Sequence, residues 1–295
     1  MAAKHPTVVI TGAGGFLGAN LATYFSDKDW RVLALVRDPS KYKDTKNIHY
    51  EAFDLAKPFD DALFKGADYL VHAAYIKFDH EHPDAFQQNL KGTKRLLAAS
   101  RKHKLKQNLF MSTMSAHEAG MSIYAKQKLA VEGLFNQKND TIFSSGLIIG
   151  NGGLVKQMAD FMKAKGMVPL IGGGKQPLQV IGIYDLERLI ELALTKGKSG
   201  KFTTANPTVY QYKEFYATLG KHLDISLKFI PMPYFVLATM LSVADLLHVK
   251  LSASKENLDG LKCLVAVDNR EDLDRLGVTI DDLPTALSKT EGITG

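Results

Sequence analysis

Short apolar runs of four to six residues alternate with longer amphipathic segments through the first half of the chain. This alternation predicts β-α-β units built around a parallel sheet. Strands are expected at Thr7–Thr11, Val32–Val36, His49–Phe53, Tyr69–His72, Asn108–Ser112 and Thr141–Ile149. Helices are expected between them at about Leu17–Ser26, Ala62–Phe64, Ala85–His103 and Tyr124–Gln137, giving six parallel strands with crossover helices.

After Gly150 the alternation ends, and Gly152, Gly153, Gly166 and the run Gly172-Gly173-Gly174 punctuate a stretch in which Pro169 and Pro177 bracket a loop. Beyond it, helices are expected at Tyr184–Ala193, Tyr212–His222 and Tyr234–Val249. Strands are expected at Lys201–Ala205 and Leu227–Ile230, the second stopped by Pro231 and Pro233. The expected fold class is α/β: a doubly wound parallel Rossmann sheet with a smaller mixed C-terminal substrate lobe. Residues 1-150 would form the core and 151-295 mainly the lobe, with segments near 178-206 and 263-268 returning to the core. Open α/β sheets bind ligands at the C-terminal edge of their strands, so a site between the two halves follows from topology.

With 45% hydrophobic and 23% charged residues over 295 positions, and no internal repeat, the chain is neither fibrous, solenoid nor wholly disordered. The single cysteine, Cys263, excludes an intrachain disulfide or a cysteine-rich metal site and suits a reducing compartment. The N-terminus runs directly into the first strand without a signal-peptide pattern, so a cytoplasmic location is expected. The longest apolar stretch, Tyr234 to Leu247, contains Asp245 and falls short of the roughly 20 residues that a membrane span needs. It reads as a core or pocket-wall helix, with membrane-surface contact or a dimer face as the alternatives, and no integral membrane span is expected. The net charge of +6 is spread over scattered lysines, which argues against a nucleic-acid partner. His80-Glu81-His82 stands before Pro83 in a loop and reads as solvated, so no metal is expected.

Candidate chemistry begins at Thr11-Gly12-Ala13-Gly14-Gly15-Phe16-Leu17-Gly18, between the first strand and the first helix. A side chain at Gly12 would obstruct the turn, one at Gly15 would hold the backbone away from a pyrophosphate, and one at Gly18 would crowd helix against sheet. The helix N-terminus then offers N–H groups to the anion, so Gly12, Gly15, Phe16, Leu17 and Gly18 are the candidate dinucleotide contacts. The second strand ends in Arg37, which suits the 2′-phosphate of NADP, with Lys41 and Lys43 nearby. A register shift of one would instead place Asp38 on a ribose 2′-hydroxyl. NADP is therefore the first expectation and NAD the second.

Tyr124 and Lys128 stand one helical turn apart on one face of the helix that follows the fifth strand. Bringing a tyrosine from about 10 to about 7 requires roughly 4 kcal/mol of differential stabilisation, part of which a neighbouring ammonium supplies. The fifth strand ends in hydroxyls, Ser112-Thr113-Met114-Ser115.

With these motifs the chain resembles the extended short-chain dehydrogenase/reductase superfamily, near the NAD-dependent epimerase/dehydratase, dihydroflavonol reductase and 3β-hydroxysteroid dehydrogenase families. Further motifs carry the resemblance: Asp54-Leu55, His72-Ala73-Ala74, Asn89-Leu90-Lys91-Gly92-Thr93, Tyr184-Asp185-Leu186 and a closing strand-helix signature at Val267-Asp268-Asn269-Arg270 with Leu276-Gly277. The resemblance implies that Tyr124 is the general acid/base and that Lys128 lowers its pKa and holds the nicotinamide ribose. Thr113 would bond the substrate oxygen, with Ser112 and Ser115 as alternatives. Asn89 would join the catalytic group or bridge its helix. Asp54 and Leu55 would flank the adenine, and Ala73 and Ala74 would line the cofactor channel. Val-Arg-Asp-Pro at 36–39 is similar to NADP-using reductases of this branch. Ser144-Ser145-Gly146 replaces the usual Arg-Pro-Gly, which weakens the case for a nucleotide sugar.

The implied activity is hydride transfer between NADP and a carbonyl or alcohol carbon of a small or apolar substrate. The alternatives are an NAD-dependent nucleotide-sugar epimerase/dehydratase and a non-catalytic NADP(H) redox sensor. Relatives dimerise through helices corresponding to residues 85–103 and 124–137, which makes a homodimer an expectation as well.

Overall fold

The computed structural model describes residues 5–79, 81–246, 255–290 and 292–293. His80 of the His80-Glu81-His82 run, Leu247 and the end of the helix expected to reach Val249 lie outside the described residues. The chain forms two compact units: Met1–Ser112 with Gln127–Ser144 and Leu186–Phe202, and Thr113–Lys126 with Ser145–Asp185 and Thr203–Gly295.

The central sheet is built from β1 (Thr7–Thr11), β2 (Arg31–Val36), β3 (Ile48–Ala52), β4 (Tyr69–His72), β5 (Gln107–Thr113), β6 (Thr141–Ser145) and the strand Gly200–Thr204. These stand in the order Gly200–Thr204, β6, β5, β4, β1, β2, β3. β1 pairs in parallel with both β2 and β4, Val8 lying opposite Val32 on one side and Tyr69 on the other. Val8, Val9 and Ile10 are wholly buried, as an apolar strand covered on both faces must be. The strand order reverses at β1, and this opens a crevice at the C-terminal ends of β1 and β4. Helices α1 (Phe16–Asp27) and α2 (Ala85–Lys102) are the crossovers that flank it, and α3 (Ile123–Glu132) follows β5.

The second unit contains α4 (Gly153–Lys165), α6 (Tyr212–His222), α7 (Tyr234–Leu246), α8 (Lys255–Lys262), α9 (Arg270–Leu276) and α10 (Leu283–Ser288), while α5 (Ile183–Lys196) runs from it into the first unit. Its main core gathers Val155, Met162, Phe215, Leu219, Leu283 and Leu287.

Several elements depart from the sequence reading. The expected strand Thr141–Ile149 breaks at Gly146, whose N–H donates to the Thr204 carbonyl at 3.1 Å, whereas the next N–H, of Leu147, donates to Gln179 at 2.9 Å. Leu147–Ile149 then pairs with Val180–Gly182 instead of extending the sheet. Pro231 does not stop its strand, which runs Lys228–Met232 beside Met167–Ile171. Both belong to a two-stranded sheet, where an edge tolerates the missing N–H. Pro169 likewise sits in a strand and not at a loop boundary. α4 was hidden by the flanking glycines, of which Gly166 ends it in the left-handed conformation. α3 stops at Glu132, five residues before Gln137. The closing signature keeps its helix, α9, but not its strand, because the side chain of Gln179 takes both the N–H and the carbonyl of Val267.

Gly92 shows how tightly α2 seats on the loop after β3: a Cβ there would stand 2.2 Å from the Leu55 carbonyl oxygen. Gly92→Ala is expected to destabilise the fold by about 1–3 kcal/mol, the usual cost of overpacking, as measured by urea unfolding.

Candidate active site

The turn after β1 is closed by its own backbone, the N–H of Gly15 donating to the Gly12 carbonyl at 2.9 Å. Gly12 is left-handed at φ 72°, and a Cβ on it would meet the Ala74 nitrogen at 2.8 Å. A Cβ on Gly18 would meet the Gly12 oxygen at 2.2 Å. Only bare backbone fits at either position. α1 therefore starts directly above the strand ends, with no side chain capping it and no acid in its first turn, as an anion site at a helix N-terminus requires.

A cleft of about 720 Å³ opens here within the first unit, sized for a dinucleotide-class ligand. Gly12, Gly15, Arg37, Asp54, Leu55, Ala73 and Ala74 all line it. Phe16, Leu17 and Gly18 form the first turn of α1 and are not among its lining residues. At the end of β2, Arg37 is exposed. The Asp38 carboxylate is occupied: it accepts from the Ser40 hydroxyl at 2.6 Å and the Ser40 N–H at 3.2 Å, and its other oxygen pairs with Lys41 at 3.3 Å. The bond from Ser40 and the neighbouring Lys41 hold it below the usual carboxylate range. Tyr42, Lys77 and Gln88 also line the cleft, and nothing in the sequence pattern had pointed to them.

α3 opens under two caps: Ser122 accepts from the Ala125 N–H at 3.1 Å, and Glu256 of α8 accepts from the N–H groups of Ile123 and Tyr124 at 2.9 and 2.8 Å. The Tyr124 phenol is hydrogen-bonded to Thr113. Burial raises its pKa to about 12 and the Thr113 bond pulls the other way. With 37% of the residue exposed, solvent screens part of that rise. One turn on, Lys128 is buried, its ammonium donating to the Met111 carbonyl at 2.7 Å and lying 4.8 Å from the Phe110 ring centroid. Burial lowers its pKa to about 8, and the charge of Glu132 opposes that fall.

Glu132 is itself buried and fully engaged. It accepts from the Ser112 hydroxyl at 2.5 Å and from the Lys201 ammonium at 2.6 Å. Ser112 is thereby committed to a structural bond, and Thr113 is the hydroxyl that meets Tyr124. The Asn89 side chain is also committed: it accepts from the Ile76 N–H at 2.9 Å and donates to the carbonyls of Ile76 and Ala85 at 2.8 and 2.9 Å. Its bonds bridge α2 to the segment after β4. Between them, His72 links Thr11 at 2.7 Å to Thr93 at 3.0 Å. Burial, with the charge of Lys128, lowers its pKa to about 3 and keeps the ring neutral.

Residues 8–140 match the model of the NAD dependent epimerase/dehydratase family. The chain is 30% identical over 128 residues to a ceramide reductase of Caulobacter vibrioides, the match covering 42% of this chain and 40% of that protein. It is 28% identical over 111 residues to a Synechocystis protein provisionally named dihydroflavonol 4-reductase, covering 36% of this chain and 32% of the relative. The chain thus spans about two fifths or less of the length of these curated relatives. In fold it is similar to MoeE5, solved with UDP-glucuronic acid and NAD, with a TM-score of 0.74, 17% identity, and 96% of this chain and 97% of that one covered. The sheet order, the glycine turn and the match over residues 8–140 point the same way: this part of the chain is similar to the NAD dependent epimerase/dehydratase family, and the whole chain shares the fold of MoeE5.

Proposed function

We propose that the protein is an NADP-dependent oxidoreductase acting on the carbonyl or alcohol carbon of a small or apolar compound. The observation that carries this reading is the Tyr124–Thr113 hydrogen bond at the start of the helix that presents Lys128 one turn later. The nicotinamide would supply the hydride. The chain supplies the proton: burial raises the Tyr124 phenol, so it is protonated at neutral pH and can donate. In the reducing direction Thr113 bonds the substrate oxygen, Tyr124 passes it a proton, and the Lys128 ammonium stabilises the tyrosinate left behind. Stabilising the tyrosinate is a demand that both directions of the reaction make on Lys128, one turn along the same helix.

The cofactor reading rests on the end of β2. A ribose 2′-hydroxyl is recognised by a carboxylate, and the carboxylate of Asp38 is engaged with Ser40 and Lys41, whereas Arg37 stands exposed on the cleft. Cytoplasmic operation accords with a single thiol, and among the described residues no helix is long and apolar enough to cross a membrane. A homodimer through α2 and α3 belongs to the same proposal. The second reading, a sugar-nucleotide epimerase or dehydratase using NAD, is favoured by the UDP-glucuronic acid and NAD bound to MoeE5.

Titration with NADPH and NADH in parallel, followed by nicotinamide fluorescence, is expected to show tighter binding of NADPH. Arg37→Ala should weaken NADPH by about 10- to 100-fold, the worth of a charge-assisted hydrogen bond, and erase the preference. Equal or tighter NADH binding by the unmutated protein would transfer the lead to the epimerase reading. Tyr124→Phe should cut turnover of a carbonyl panel by about 100- to 10,000-fold while leaving cofactor affinity intact; unchanged turnover would eliminate Tyr124 as the proton donor. As pH rises through about 8 Lys128 loses its charge, so the rate should fall on that limb. Glu132→Gln removes the group that holds the Lys128 pKa up and should move the limb to lower pH in a rate–pH profile.

A further inference from the structure

We infer that the Tyr42 hydroxyl determines cofactor specificity by donating a hydrogen bond to the 2′-phosphate of NADP, an inference that rests on the cofactor reading above. Tyr42 follows the single 3₁₀ turn Pro39–Lys41, and its N–H donates to the Pro39 carbonyl at 3.0 Å, which sets the direction in which its side chain leaves the loop. Its ring stacks on Tyr50 of β3, centroids 4.8 Å apart and planes 17° from parallel. Loop and stack together aim the phenol at the glycine turn. There the hydroxyl occupies the space that a side chain at residue 14 would need: a Cβ on Gly14 would lie 2.4 Å from it and 3.7 Å from a methyl of Val36. Gly14 belongs to none of the three positions that the turn itself requires, so its lack of a side chain is explained by this approach.

The hydroxyl therefore lies where the turn after β1 meets the end of β2, on the cleft that Arg37 also lines. Tyr42 is 38% exposed, which leaves its hydroxyl accessible from the cleft that it lines. A phosphate dianion only accepts hydrogen bonds, and a phenol O–H and a guanidinium that line one cleft are both donors suited to it. Asp38 lines the same corner, its Oδ1 accepting from Ser40 and its Oδ2 paired with Lys41, so the charge beside it is partly balanced within its own turn.

Tyr42→Phe keeps the stack on Tyr50 and the shape of the wall while removing only the donor. Affinities of this variant and the unmutated protein would be measured for NADPH and NADH, and for adenosine 2′,5′-bisphosphate and 5′-AMP as fragments free of the nicotinamide. The expected result is a roughly tenfold loss for the two 2′-phosphorylated ligands, with NADH and 5′-AMP within twofold of the unmutated protein. An NADPH preference that survives Tyr42→Phe, or an equal loss for all four ligands, would overturn the inference and leave the cofactor reading standing. Equal affinity of the unmutated protein for NADPH and NADH would overturn both.

Discussion

The structure depends first on a contact between backbones. β1 ends in a turn so close to the segment after β4 that Gly12 has no room for a side chain, and α1 returns so close to the same turn that Gly18 has none either. That double approach puts the uncapped start of α1 over the point where the strand order reverses. The buried chain Thr11–His72–Thr93 ties the same strand ends to α2. A neutral imidazole suits this place, since an imidazolium there would be buried without a carboxylate partner. The cleft is what remains above these contacts.

A second constraint is the burial of charge along α3. Lys128 and Glu132 stand one turn apart, both nearly inaccessible to water, and burial of that kind is tolerated only when each charge has partners. The ammonium of Lys128 is given the Met111 carbonyl, while the carboxylate of Glu132 is given the Ser112 hydroxyl and the Lys201 ammonium. Consecutive residues of β5 point to opposite faces of the sheet, so committing Ser112 to Glu132 directs Thr113 away from that network. The choice between two adjacent hydroxyls is thus made by a buried carboxylate eight residues beyond Tyr124. The order of the chain alone left that choice open.

Asp38 shows the same logic at the cleft. As a carboxylate directly after a strand it competes with Arg37 for the role of ribose contact, and sequence spacing permits either. Locally it behaves as Asp commonly does before a short turn, accepting from the N–H two residues on and from the serine hydroxyl. A short-range bond of this kind is set by the local turn, and it occupies part of the carboxylate's accepting capacity.

Much of this protein was legible in the order of its residues, because the relevant signals are local. Apolar runs of strand length, glycines at 12, 15 and 18, and a tyrosine four residues before a lysine each act over one or two turns of chain. They determined the parallel α/β sheet, the turn, the cleft-lining residues after β1, β2, β3 and β4, and the shared helix of Tyr124 and Lys128. What the tertiary structure alone decided depends on partners distant in sequence. Gly146 ends a strand because its neighbours are Thr204 and Gln179. Residues 264–269 are irregular where a closing strand was expected, because a glutamine 88 positions away supplies the backbone bonds of Val267. Asn89 serves as a bridge because all of its bonds are taken by Ile76 and Ala85. Gly14 and Tyr42 meet only when β1, β2 and β3 lie side by side. Periodicity and turn chemistry report the conformation a segment prefers, whereas hydrogen-bond satisfaction inside a fold is settled by whichever groups the packing brings within reach.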